Sequence, residues 1–110
     1  MDKEDGERGM VQELQGALQV HVGDHLEVPS NGLYKAVGHR ATLNHERTRI
    51  STASLHSLGM DGMMEPAKEL VDEQHPKKYK KSRFRDFLTF LSAKDIGDGK
   101  SFIDTLKNKE

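Results

Sequence analysis

Two segments of alternating character, Tyr34 to Leu43 and Arg47 to Leu55, are separated only by Asn44-His45-Glu46. No other feature constrains the chain so tightly. Side chains alternate faces along a strand, so each segment as a strand presents one inner and one outer face. The odd positions are Lys35, Val37, His39, Ala41 and Leu43 on the first, and Arg47, Arg49, Ser51, Ala53 and Leu55 on the second. The even positions include Arg40, Thr42, Thr48, Thr52 and Ser54, with Tyr34 and Ile50 as exceptions, and form a solvated face. The mostly apolar odd face therefore carries His39, Arg49 and Ser51. An unpaired guanidinium is costly to bury, so Arg49 calls for an anionic partner. Ser51 lies two residues on, on the same face, and supplies one more hydrogen bond. A guanidinium fork and a hydroxyl together suit a small carboxylate. His39 on the same surface could hold a metal that such a ligand also reaches. Inward His, Arg and Ser residues are nonetheless more often structural, and the spacing alone leaves both readings open.

The flanks give the order of elements. Residues 1–15 are polar, with Asp5-Gly6 as a hairpin turn. Ala17 to Val22 reads as a strand ended by Gly23, and Asp24 reads as the cap of a helical turn over His25 to Val28. Asn31-Gly32 is a strong turn signal. Beyond the glycine- and methionine-rich stretch Gly59 to Met64 the pattern becomes helical. Pro66 suits a first helical turn before Ala67 to Val71. Phe84, Phe87, Leu88 and Leu91 recur at i, i+3, i+4 and i+7, an amphipathic helix, and a shorter helix holds Phe102, Ile103 and Leu106. The expected organisation is a polar segment (1–15), strands (16–58), and a loop with helices (59–110). Met60, Met63 and Met64 are expected to pack over the core rather than form a metal site, because thioether ligands suit soft ions such as Cu(I).

Composition narrows the classes. The 110 residues hold 17 basic and 18 acidic side chains, for a net charge of −1, so bulk charge does not suggest nucleic-acid binding. The run Lys77 to Arg85 has six basic residues in nine. It is expected to be solvating lysines ahead of a buried helix stripe, with no nucleic acid as partner. The absence of cysteine excludes disulfide frameworks and thiolate zinc sites. No run approaches the roughly eighteen apolar residues of a membrane span, and Met1 to Gly6 lacks the order of a secretory signal. A cytoplasmic chain with no membrane association is expected. Only 34% of its residues are hydrophobic, a small share for a complete core.

The runs Gly23 to Val28, Ser30 to Arg40 and Arg49-Ile50-Ser51 occur in an order that resembles the C-terminal half of plant 2-oxoglutarate- and Fe(II)-dependent dioxygenases. The branch most similar is flavanone 3-dioxygenase-like and salicylate-hydroxylase-like. The resemblance runs from about Gly16 to Lys107. It implies a mainly β fold with C-terminal helices, the C-terminal half of a double-stranded β-helix or jelly roll, with the two central strands in facing sheets. It further implies that His39 is a metal ligand and that Arg49 and Ser51, as an R-x-S motif, bind the C5 carboxylate of 2-oxoglutarate. Fe(II) and 2-oxoglutarate are the implied cofactor and co-substrate, with ascorbate as reductant. The implied reaction couples oxidative decarboxylation of 2-oxoglutarate to hydroxylation or desaturation of a small aromatic, flavonoid-type metabolite.

Departures from that pattern set further expectations. The family's other two metal ligands form an H-x-D motif, and this sequence has none. The nearest approach, His21-Val22-Gly23-Asp24-His25, is an alternative metal site, although the family uses the Gly-Asp pair structurally. A jelly roll needs about eight strands, and three or four are recognisable. Gly38 and Pro29 also depart from the family's usual residues. A C-terminal fragment, inactive alone and prone to self-association through open strand edges, is therefore expected. The alternative is a non-catalytic product that is inert or pairs with full-length relatives.

Overall fold

The structure is a computed structural model that describes residues 9–93 and 101–108. The chain divides into two compact units, 1–21 with 37–56, and 22–36 with 57–110. The expected Asp5-Gly6 turn lies outside the described residues.

The second unit contains the regular elements. Helix α1 covers Asp24–Glu27. Strand β1, Met63–Met64, pairs antiparallel with β2, Ser82–Arg83, so that Met63 faces Arg83 and Met64 faces Ser82. Helix α2 spans Phe84–Ala93, and α3 spans Phe102–Leu106. The core consists of Val28, Met64, Tyr79, Phe102, Ile103 and Leu106, with Phe87 and Phe90 packed against it. Met64 thus meets the packing expectation, while Met60 and Met63 stay exposed. Both C-terminal helices form where their periodicity predicts.

Helix α2 presents a different stripe from the one expected. Leu88 and Leu91 remain 37% and 49% exposed, and the ring of Phe90 sits 5.6 Å from Phe102. Phe87 also meets Phe102, edge-on at 5.4 Å. Phe84, Phe87 and Phe90 recur every third residue, so the helix turns its aromatic ridge inward. Edge-to-face aromatic pairs bury more area than the leucines would and prefer this geometry. At α3, Asp104 reaches back to accept from the Ser101 N–H and hydroxyl, at 3.3 and 2.9 Å, which closes a capping box.

The link between α1 and the later segments depends on Asn31-Gly32. Both have positive φ, 53° and 81°, a conformation that asparagine tolerates and glycine adopts freely. The Asn31 side chain then donates to the carbonyls of Pro76 at 3.1 Å and Leu70 at 3.4 Å. Its oxygen accepts the Lys78 N–H at 2.9 Å. The Lys80 N–H donates to Leu106 O at 2.7 Å, and the Asn108 N–H to Lys78 O at 2.8 Å. The segment around Tyr79 is therefore held on one side by the turn and on the other by the C-terminal end of α3.

Two local expectations are corrected here. Gly23, not Asp24, occupies the N-cap of α1, and Asp24 is its first residue. Pro66 does not open a helix. Ala67 is extended and its N–H donates to Pro29 O at 3.0 Å, so only a 3₁₀ turn, Lys68–Leu70, forms beyond it.

The described residues of the first unit are irregular chain. Gly16, at φ 76°, makes the turn in which the Ala17 N–H donates to Leu14 O. Asn44 caps the bend between the central segments by accepting the Glu46 N–H at 2.9 Å. No strand or ladder forms among the described residues of this unit. The central segments differ in this from the strands, in facing sheets, expected of them. A β-strand exists through the ladder it shares, and Leu43, Ile50 and Leu55 are each at least 90% exposed. Apolar residues of both parities face solvent, so no inner face is defined.

Candidate functional site

His39 is exposed in the first unit, and its Nδ1 lies 3.0 Å from the Val37 carbonyl. A carbonyl only accepts, so Nδ1 carries the ring proton and Nε2 offers a lone pair. The neighbour that the structure brings to His39 is His21, with ring centroids 4.7 Å apart and planes tilted by 41°. Arg49 and Ser51 are exposed and make no hydrogen bond or ion pair among the described residues. The three candidate residues thus lie in one unit, but among the described residues no hydrogen bond or ion pair joins them. Proximity of His21 to His39 was not predicted, because the residues lie eighteen positions apart on separate segments.

The described residues do not by themselves form an iron site. Among the described residues no group of three or more His, Cys, Asp or Glu side chains could hold a metal ion. A facial iron site requires two histidines and a carboxylate on one triangular face. His39 and His21 bring two imidazoles and no carboxylate.

The second unit holds a polar cluster that sequence reasoning missed. The Tyr79 hydroxyl donates to Glu27 Oε2 at 2.5 Å, and Glu27 Oε1 accepts the Ala36 N–H at 2.7 Å. Both residues are buried. Burial, and then the Glu27 carboxylate, pushes the Tyr79 phenol well above its ordinary range. The arrangement ties α1 to the basic segment. An aromatic residue inside a lysine run was the available signal, since a buried tyrosine seeks a hydroxyl partner. Lys77 pairs with Glu65 at 3.7 Å and Arg85 with Asp61 at 3.3 Å. His25 packs edge-on against Phe84 and Phe87 at 5.2 and 5.1 Å. Its Nε2 is buried without a hydrogen-bond partner among the described residues. Burial pushes the His25 pKa down and that of Asp24 up. Neither residue belongs to a metal cluster among the described residues.

The family assignment follows from comparison with known proteins. The family model described as the 2OG-Fe(II) oxygenase superfamily matches residues 2–57. The chain is 50% identical over 107 residues to a protein named 2-oxoglutarate-dependent dioxygenase 21, chloroplastic, from Oryza sativa subsp. japonica, covering 97% of this chain and 32% of that protein. Flavanone 3-dioxygenase 3 of the same organism is 46% identical over 107 residues, 97% of this chain and 33% of that protein. A flavonol synthase/flavanone 3-hydroxylase from Eustoma exaltatum subsp. russellianum is 40% identical over 74 residues, 67% of this chain and 22% of that protein. The chain belongs to the 2OG-Fe(II) oxygenase superfamily, within its 2-oxoglutarate-dependent dioxygenases, a family of oxidoreductases. The family implies a jelly-roll fold, Fe(II) and 2-oxoglutarate. The chain spans about a third of the length of these two rice relatives.

Proposed function

We propose that this chain supplies part of the active site of an Fe(II)- and 2-oxoglutarate-dependent dioxygenase that hydroxylates or desaturates a flavonoid-type aromatic metabolite. The observation that carries the reading is its 46% identity, across nearly its whole length, to a protein named for flavanone oxidation. In this reading His39 contributes one ligand to the iron. Arg49 grips the far carboxylate of 2-oxoglutarate through a bidentate, charge-assisted pair, and the Ser51 hydroxyl fixes its orientation. The exposed, unpartnered state of Arg49 and Ser51 is compatible with that role, since neither is committed to another group among the described residues. Bound iron would supply oxygen activation, and its remaining ligands would come from outside the residues described. Ascorbate is the reductant and the cytoplasm the compartment in this reading. One relative is named chloroplastic, so a fluorescent fusion decides the compartment.

The test is 2-oxoglutarate-dependent succinate formation with Fe(II) and ascorbate, across flavanones and phenolic acids. The sample is a complete rice relative in which the matching third is replaced by this sequence. Substrate-dependent turnover is expected. A soluble, iron-loaded chimera that forms no succinate with any flavonoid or phenolic acid rejects the reading.

A second reading is that the chain is non-catalytic and self-associates or pairs with full-length relatives. Exposed apolar side chains of the first unit favour it, Leu18, Leu43 and Leu55 among them. Co-purification with an intact dioxygenase, or a concentration-dependent oligomer in sedimentation, supports this reading. A monodisperse monomer counts against it.

A further inference from the structure

We infer that His21 and His39 form a two-imidazole chelate for a borderline divalent transition ion, Cu(II), Ni(II) or Zn(II), in preference to Fe(II). The inference rests on the geometry of this pair and does not depend on the dioxygenase reading. Two imidazoles that share one ion, each bonded at about 2.0–2.1 Å, hold their ring centres about 5 Å apart. The centroids of His21 and His39 are 4.7 Å apart. Their planes are inclined by 41° rather than parallel, so the two rings are not stacked face to face.

The tautomer is already set on one side. With Nδ1 of His39 donating to the Val37 carbonyl at 3.0 Å, Nε2 is left as the donor atom. A backbone carbonyl fixing the far nitrogen is how metal-bound histidines are usually oriented. Both residues are exposed, so an ion reaches them without any rearrangement of packing and keeps water in its remaining positions. Ion preference follows from donor type and number. Neutral imidazoles with water favour copper, then nickel, over iron in the ordinary affinity order, and among the described residues no carboxylate joins the pair to offset that order. His21 is assigned to a metal by no motif. Its contribution comes only from the fold bringing the two segments together.

The test is titration of the refolded full chain, at low concentration, with CuCl₂, NiCl₂, ZnCl₂ and anaerobic ferrous ammonium sulfate. The variants are His21→Ala, His39→Ala, the double variant, and His45→Ala as a control. Stoichiometry comes from calorimetry, and the number of coordinated nitrogens from the electron paramagnetic resonance of bound Cu(II). Circular dichroism confirms that the variants keep their helices, as expected for exposed side chains. One equivalent of Cu(II) with two nitrogen ligands is expected, with Fe(II) bound far more weakly. Each single alanine variant should weaken Cu(II) by roughly tenfold or more, because the second imidazole binds intramolecularly. The double variant should be little weaker than either single one, since removing one ligand already breaks the chelate. The His45 control should match the parent. Loss with His39→Ala alone, additive losses, binding unaffected by either substitution, or Fe(II) bound as tightly as Cu(II) overturns the inference.

Discussion

The Tyr79 hydroxyl donates across 2.5 Å to Glu27, fifty-two residues earlier in the chain, and both side chains are buried. A carboxylate in this position needs its donors, and it has two, the phenol and the Ala36 N–H. Tyr79→Phe keeps the ring and removes one. The expected cost is about 1–3 kcal/mol, the penalty for a buried acceptor left short of a partner. Urea unfolding followed by helical circular dichroism checks it, and an unchanged midpoint would show that water replaces the phenol.

The same pair fixes a pH dependence. The Tyr79 phenol is held above its ordinary value near 10, so the unfolded chain releases that proton first. Stability from this group is fully present below pH 10 and falls as the pH rises beyond it. Spectrophotometric titration of phenolate should show Tyr79 ionising together with unfolding. Ionisation of Tyr79 near 10 in the folded chain contradicts the burial.

His25 sets an acid limit of the opposite sense. Burial depresses its pKa, so the unfolded chain takes up the proton first, and stability is lost as pH falls below about 6.5. Asp24, whose pKa is raised by burial and then by Glu27, works the other way. The folded chain binds that proton more tightly, so stability is fully present below the ordinary aspartate value and is lost as pH rises through the elevated one. His25→Phe should flatten the loss below pH 6.5, and Asp24→Asn should raise the melting temperature at pH 7. Thermal melts from pH 7 downward decide both.

Gly32→Ala tests the turn. At φ 81° an added Cβ is strained, and it would stand 3.2 Å from the Tyr79 hydroxyl oxygen and 3.4 Å from Lys78 Cδ. The expected cost is about 1–3 kcal/mol, read as a lower urea midpoint. Gly23→Ala, where nothing lies within 4 Å and φ is −111°, should be far milder.

Arg49→Ala, in a complete dioxygenase carrying this stretch, should raise the 2-oxoglutarate KM by about 10- to 150-fold, the loss of a charge-assisted pair worth roughly 1.5–3 kcal/mol. Arg49→Lys should recover only part of it, because an ammonium lacks the fork. An unchanged KM for the alanine variant rejects the assignment of Arg49.

Legibility in the sequence followed the range of the interactions. Helices α2 and α3 were readable because their apolar periodicity is local. Asn31-Gly32 was readable as a turn because positive φ selects those two residues. The strand pattern of Tyr34–Leu43 and Arg47–Leu55 was equally plain, yet a strand depends on partners that local pattern does not supply. At the candidate site, His39, Arg49 and Ser51 stood out by residue type and spacing. Glu27, Tyr79 and His21 did not, since each gains its significance from a neighbour at least eighteen residues away.

The bonds from Asn31 to Pro76 and Lys78 and from Glu27 to Tyr79 join residues 45 to 52 positions apart. Topologically, 37–56 is an excursion that leaves the second unit and returns to it. Closing an excursion grows more costly only slowly with length, by about 0.6 kcal/mol for each doubling. Insertions and deletions there draw little on the stability of the anchoring unit. The stretch that carries His39, Arg49 and Ser51 can therefore change length and composition while its anchor stays folded, so its chemistry can diverge faster than its support.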